Sequence, residues 1–150
     1  MNIASIGSAV ATRFAAAAIT PPSGYNDIAS STNELPNAIT SLPAVLVFPP
    51  DASWAYGPGR RTGDLVFPVR FYAEAAADRP RATAAVNAWY GVLIDQLEPN
   101  FDLDLSGSGH VTHAVITGSS AGTFTYAEKE YAGIEFSVSV HIVQAIAPTT

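Results

Sequence analysis

The sequence predicts an α+β fold: a mostly antiparallel β-sheet with a long C-terminal hairpin, packed against an N-terminal helix and one central helix at about residues 80–97. Three observations predict it. In YAGIEFSVSVHIV, residues 131–143, Ile134, Phe136, Val138, Val140 and Ile142 take every second position while Glu135, Ser137, Ser139 and His141 fill the gaps. That is the alternation of a strand with one buried face. After Asp78, the residues Ala82, Val86, Trp89, Leu93 and Leu97 recur at steps of four, three, four and four, which draws one apolar stripe along a helix. Residues 65–72 alternate again, with Leu65, Phe67, Val69 and Phe71 on one side. A strand cannot stand alone, because its backbone groups need neighbours and its apolar side needs cover; the helical stripe is a natural cover.

Taken in order, Ile3, Ile6, Val10, Phe14 and Ala17 are spaced by three and four, predicting an amphipathic helix that ends before Pro21 and Pro22. No Lys or Arg precedes its apolar part and Arg13 lies inside it, which argues against a signal peptide and against a membrane span. Residues 21–43 are rich in Pro, Ser, Asn and Thr and read as a long loop, either an arm that orders against a neighbour or a plain connection. AVLVF, residues 44–48, is a short strand buried on both faces, bounded by prolines. DASWAYGPGRRTGD, residues 51–64, has the glycines of a loop or hairpin tip. Pro68, inside the next strand, marks an edge strand or a bulge because it cannot donate to the ladder.

Asp78 caps the central helix with Pro80 in its first turn, and Pro99 closes it. Phe101, Leu103 and Leu105 then alternate with Asp102 and Asp104 before a flexible run at 106–109. Residues 111–117 and 123–126 read as extended, as one strand broken at 118–122, and the charged residues 127–130 turn the chain into the final strand. Residues 145–150 form a flexible tail. No repeat or linker divides the 150 residues, so one domain is expected, able to bury roughly 68–70% of the surface its unfolded chain exposes.

Composition excludes several classes. Charged residues make up only 13% and hydrophobic ones 48%, which is not a disordered chain and suggests surface that partners cover. A net charge of -6 is the wrong sign for holding nucleic acid by phosphate neutralisation. Without cysteine there is no disulfide framework, thiolate nucleophile or cysteine-ligated zinc.

The motifs that carry chemistry are weak. His110 and His113 have the H-x-x-H spacing of a metal pair, but on a strand residues three apart point to opposite faces. His141 belongs to the polar side of the final strand, solvated or facing a partner. Asp102 and Asp104 share a side without the rest of a calcium loop, so they read as a solubilising edge. GPGRRTG, residues 57–63, lacks the Gly-Lys-Ser/Thr ending and the following helix of a phosphate loop. No nucleophile, base and orienting group can be nominated together. Trp54, Tyr56, Arg60 and Arg61 remain as candidates for a subunit or partner interface, where Trp, Tyr and Arg concentrate.

With LPAVLVFPP, YGPGRRTGDLVFPVRFY and GTFTYAEKEYAGIEFSVSV in this order, the chain resembles the tail-terminator and related neck proteins of long-tailed bacteriophages over roughly residues 42–143. The resemblance implies a virion structural protein, made in the host cytoplasm, that forms a ring of six copies on the head-proximal end of the tail tube. The ring stops tube polymerisation and joins the tail to the head connector, and DNA passes through its lumen without specific binding. It implies no enzyme activity, cofactor, metal or membrane. A tail-tube or head-completion subunit is the alternative within this class, and a small ligand-binding or hydrolytic domain the alternative outside it. The family has no fixed partner-contacting motif, so the four interface candidates rest on loop chemistry.

Overall fold

The computed structural model describes residues 3–97, 100–101 and 111–145. In chain order the elements are α1 (Ile3–Arg13), β1 (Ser30–Thr32), β2 (Ala44–Val47), β3 (Asp51–Gly57), β4 (Arg60–Ala75), α2 (Arg79–Gln96), β5 (Asn100–Phe101), β6 (Val111–Tyr126) and β7 (Lys129–Ala145). The fold is α+β, and among the described residues one sheet has the order β1-β2-β4-β7-β6-β5 with β3 also on β4. All pairings are antiparallel except β1 with β2.

The alternating strand is the middle of this sheet. β7 pairs with β4 from Arg60↔Ala145 to Ala75↔Tyr131, and with β6 from Val111↔Ile142 to Tyr126↔Lys129. Its residues Ile134, Phe136, Val138, Val140 and Ile142 are all buried, because both helices lie over their side of the sheet. α2 packs on β4 and β7 and α1 on β1 and β2. Phe71 meets Trp89 at 4.8 Å and Phe14 meets Phe136 at 5.6 Å between ring centroids, each pair tilted by 49°, contacts that add to area burial. The stripe on α2 is Ala82, Ala85, Val86, Trp89 and Leu93, with Leu97 as the C-cap, partly buried at its end. Asp78 caps the helix by accepting from the Arg81 N–H at 3.3 Å.

A smaller cluster, Leu46, Tyr72 and Tyr131, sits apart from this core. Leu46 alternates with Val45 and Val47 of the main core, so the cluster lies on the opposite face. It is covered by Ile39 and Leu42 of the 21–43 loop. That loop therefore wraps the sheet edge: Ile19 and Ile28 join the helix-side core, β1 runs along β2, and Ile39 and Leu42 reach the other face. Ser31 Oγ donates to the Ala11 carbonyl at 2.5 Å, Asn33 to the Ala4 carbonyl at 2.9 Å, and the Tyr126 hydroxyl to Pro36. The arm is seated on its own chain.

Several sequence expectations are corrected. α1 stops at Arg13, and Ala17 is exposed; turns at residues 14–18 bring Ile19 instead into the core. Of the two settings expected for the 51–64 segment, the hairpin holds: its strands begin at Asp51 and Arg60, turning through Gly59 at φ +69. Pro68 sits at a bulge, one of its two expected settings, and not on an edge strand: β4 lies between β2 and β7, and residues 48–50 oppose only residues 67–68. Its carbonyl accepts from the Phe48 N–H at 2.9 Å, so its donor-less nitrogen points to the same side, where β2 gives way to β3 and the register changes between Val47↔Val69 and Asp51↔Val66. No ladder bond is lost there. β6 is continuous through 118–122, with a register shift between Ile116 and Gly118 instead of a break. The last turn is only Ala127 and Glu128, both left-handed at φ 50 and 68, as a two-residue type I′ hairpin requires. Ala145 ends β7 and is not part of a tail. Pro99 and residues 102–110 and 146–150, with Asp102, Asp104, His110, Leu103 and Leu105, lie outside the described residues.

Candidate assembly surface

The four interface candidates share one hairpin but not one face. Cross-strand partners lie on the same side, so Trp54 with Gly63, and Tyr56 with Arg61, continue the helix-bearing side of Leu65 and Phe67. Arg60 is one position off and projects to the other side. Trp54 lies flat over Gly63: a Cβ built there would come within 2.2 Å of the indole, so the glycine makes room for the ring. The Arg61 guanidinium stacks 4.6 Å from the Trp54 centroid, a cation–π contact. Arg61 is thus engaged within its own chain. Tyr56, at the end of this row, is 71% exposed.

Beyond the hairpin, the outer edge of β3 pairs with nothing among the described residues. The same is true of β6 from Thr117 to its end, since β5 reaches only Ala114 and Val115. The β6 residues 117–123 are exposed on both faces. Beside this stretch a groove of about 950 Å³ opens between the first half of α2 and the β6–β7 hairpin. Small residues, Ala76, Ala82, Ala121, Gly122 and Ala132, line part of it, and Arg79, Val86, Lys129, Glu130 and Tyr131 line the rest.

On the other face, Arg70 pairs with Glu135 at 2.7 Å, with its guanidinium 5.1 Å from the Phe48 ring and 4.9 Å from that of Phe124. Nearby, Tyr72 is fully buried and its hydroxyl makes no hydrogen bond among the described residues. Burial holds its phenol above the ordinary value of 10.0, against the pull of Arg70. A raised phenol pKa favours the neutral form in the folded chain. The stability it contributes is complete below the unfolded value and is lost as pH rises through the folded one. Tyr72→Phe should therefore be neutral or stabilising by about 1 kcal/mol at pH 7, because an unpaired buried hydroxyl disappears, and should flatten the fall in stability above pH 10. Urea unfolding of both proteins across that range checks this.

The histidines meet differently from the sequence pattern. His113 on β6 faces His141 on β7 with ring centroids 5.7 Å apart, and His141 Nδ1 lies 2.9 Å from Asp64 Oδ1 on β4. This row crosses three adjacent strands, Asp64↔His141↔His113. Only strand register brings the three together, so spacing along the chain carries no sign of it. Among the described residues no group of three or more His, Cys, Asp or Glu side chains could hold a metal ion, and no helix is long and apolar enough to cross a membrane.

The surface therefore offers an aromatic hairpin with an open strand at one edge of the sheet, and an open strand beside a groove at the other edge. Both are means of contact with another protein. No protein-family model matches the chain, and no curated protein matches it.

Proposed function

We propose that this chain is a virion structural subunit of a long-tailed bacteriophage, a tail terminator that acts by contact. Six copies close into a ring on the head-proximal end of the tail tube. One face of the ring fits the last tube ring and the other meets the head connector; lacking a surface that recruits a further tube subunit, it ends polymerisation. The observation that carries the reading is the resemblance in LPAVLVFPP, YGPGRRTGDLVFPVRFY and GTFTYAEKEYAGIEFSVSV, stretches that form β2, the β3–β4 hairpin and the β6–β7 hairpin of one sheet.

Physical features support it. Low charge and two open strand edges suit a subunit whose neighbours cover much of its surface. A net charge of -6 suits a lumen through which DNA slides, since carboxylates repel phosphate. In this reading the subunit is made in the host cytoplasm, needs no cofactor and catalyses nothing.

Antibody labelling of intact particles and of detached tails tests the proposal. Label confined to the head-proximal end and retained on detached tails is the expected result. Label along the whole tail would make the chain a tube subunit; label that stays with heads would make it a head-completion protein. Particles without label, with the epitope shown accessible, would overturn a virion role and return the chain to a ligand-binding or hydrolytic domain.

A further inference from the structure

We infer that copies of this chain join through their sheets: β3 of one copy pairs antiparallel with the end of β6 of the next, and Tyr56 seats in the groove beside Ala121. The inference rests on the ring reading for closure, but the joint itself follows from the two open edges.

Both edges are lightly guarded against pairing. Residues 117–126, TGSSAGTFTY, contain no charge and no proline, and β3 contains neither lysine nor proline, its one charge being Asp51 at its first position. Exposed edges of soluble proteins normally carry such guards, and an unguarded one is a template for another strand. The directions also fit. β4 and β6 run opposite to β7, and β3 runs opposite to β4. In a neighbour of the same orientation, β6 is then antiparallel to β3.

Side-chain placement selects a register. Tyr56 projects on the helix-bearing side, and so does Ala121, which pairs with the buried Ile134. Setting Tyr56 opposite Ala121 sets Asp51 opposite Tyr126, so all of β3 is matched by the last residues of β6. Pro49 and Pro50, which have no N–H to offer, then fall beside the Ala127 and Glu128 turn, where the ladder ends. The exposed phenol enters the groove that Ala121, Gly122 and Ala82 leave open. An aromatic anchor in a pocket is how interfaces concentrate their energy.

The contact is heterologous, because hairpin and groove are different surfaces of one subunit. The two open edges also lie at opposite ends of the sheet: β3 is beside the finish of β7 and the open part of β6 beside its start. Successive copies are therefore staggered along the strands, which a closed ring accommodates by tilting its strands to the axis, as in a barrel.

The chain has no cysteine, so the joint can be tested by paired substitution. Tyr56→Cys and Ala121→Cys cannot bridge within one copy: through their partners Arg61↔Gln144 and Ile134 they lie ten β7 residues apart, about 33 Å, far past disulfide reach. Under a mild oxidant at high protein concentration, the double variant should give a reducible ladder of oligomers, while each single variant gives at most a dimer. A mixture of the two single variants should give mainly the mixed dimer. No ladder at the highest soluble concentration, or single variants that cross-link as far as the double, would overturn the inference. Should the double variant fail to fold, hydrogen exchange on the unaltered chain decides. Amides of residues 51–57 and 118–126 should exchange at least tenfold more slowly at high than at low concentration, and unchanged rates would overturn the joint. A ladder from a protein absent from tails would sink the terminator reading and keep the joint, whereas correct labelling of tails without a ladder would do the reverse.

Discussion

Gly133→Ala should destabilise the fold by about 3 kcal/mol, read as a lower urea midpoint with an unchanged slope. A Cβ at this position would come within 2.1 Å of the Phe71 carbonyl oxygen and 3.3 Å of the Tyr72 Cα. Both obstacles are backbone, so no side chain can swing aside. Gly133 pairs with Tyr72 where the β4–β7 register shifts between Tyr72 and Glu74. The bulge draws the two strands together there, and glycine is what the close approach permits. Ala132→Gly next to it should cost far less, because it removes a methyl group and creates no collision. A Gly133→Ala protein as stable as the parent would mean that the strands are not this close.

The second large effect is expected at Trp89. It is fully buried, stacks on Phe71 at 4.8 Å and forms the middle of the α2 stripe against β4 and β7. Trp89→Ala should cost about 3–5 kcal/mol, the usual range for removing a buried large aromatic, and lower the melting temperature by roughly 10 °C or more. Its indole N–H is buried without a hydrogen-bond partner among the described residues. Trp89→Phe therefore keeps most of the packing and removes an unpaired donor, and should lose less than half as much. Equal losses in the two variants would mean that a single six-membered ring recovers none of the packing, so that the site requires the full indole. Calorimetry of both separates the cases.

What could be read from the sequence follows from what each element buries. β7 and α2 each hide one side completely, so their periods of two and near 3.6 stand out in the order of Ile134 to Ile142 and of Ala82 to Leu93. β2, buried on every residue, shows as an apolar run. β3 has mostly exposed residues, and the middle of β6 is exposed on both faces; neither imposes an alternation on its sequence. β1 is Ser-Ser-Thr, held by parallel pairing to β2 and by the Ser31 bond to α1, and nothing local distinguishes it from loop. Pro68 marks either a free edge or a bulge by its missing donor, and only cross-strand register, with residues 48–50 opposing 67–68 where β2 gives way to β3, selects the bulge. At the candidate surface, Trp54 and Tyr56 were legible as aromatics in a turn-rich stretch. The seating of Trp54 on Gly63, and the meeting of His113 with His141, depend on cross-strand register and have no signature along the chain.

The place of β7 in the sheet also bears on how the protein comes into being. It is the last of the described elements to leave the ribosome, yet it is the shared neighbour of β4 and β6 along nearly their whole length. A nascent chain that has reached Tyr126 has made both helices and most strands, but β4 still waits for its longest partner. At synthesis rates of about 5–20 residues per second, the nineteen residues from Ala127 to Ala145 take on the order of one to four seconds. Only then can the sheet close. Pairing β4 with β7 joins residues about seventy positions apart, a distant closure that slows folding. The sheet thus becomes whole only once β7 itself has been made.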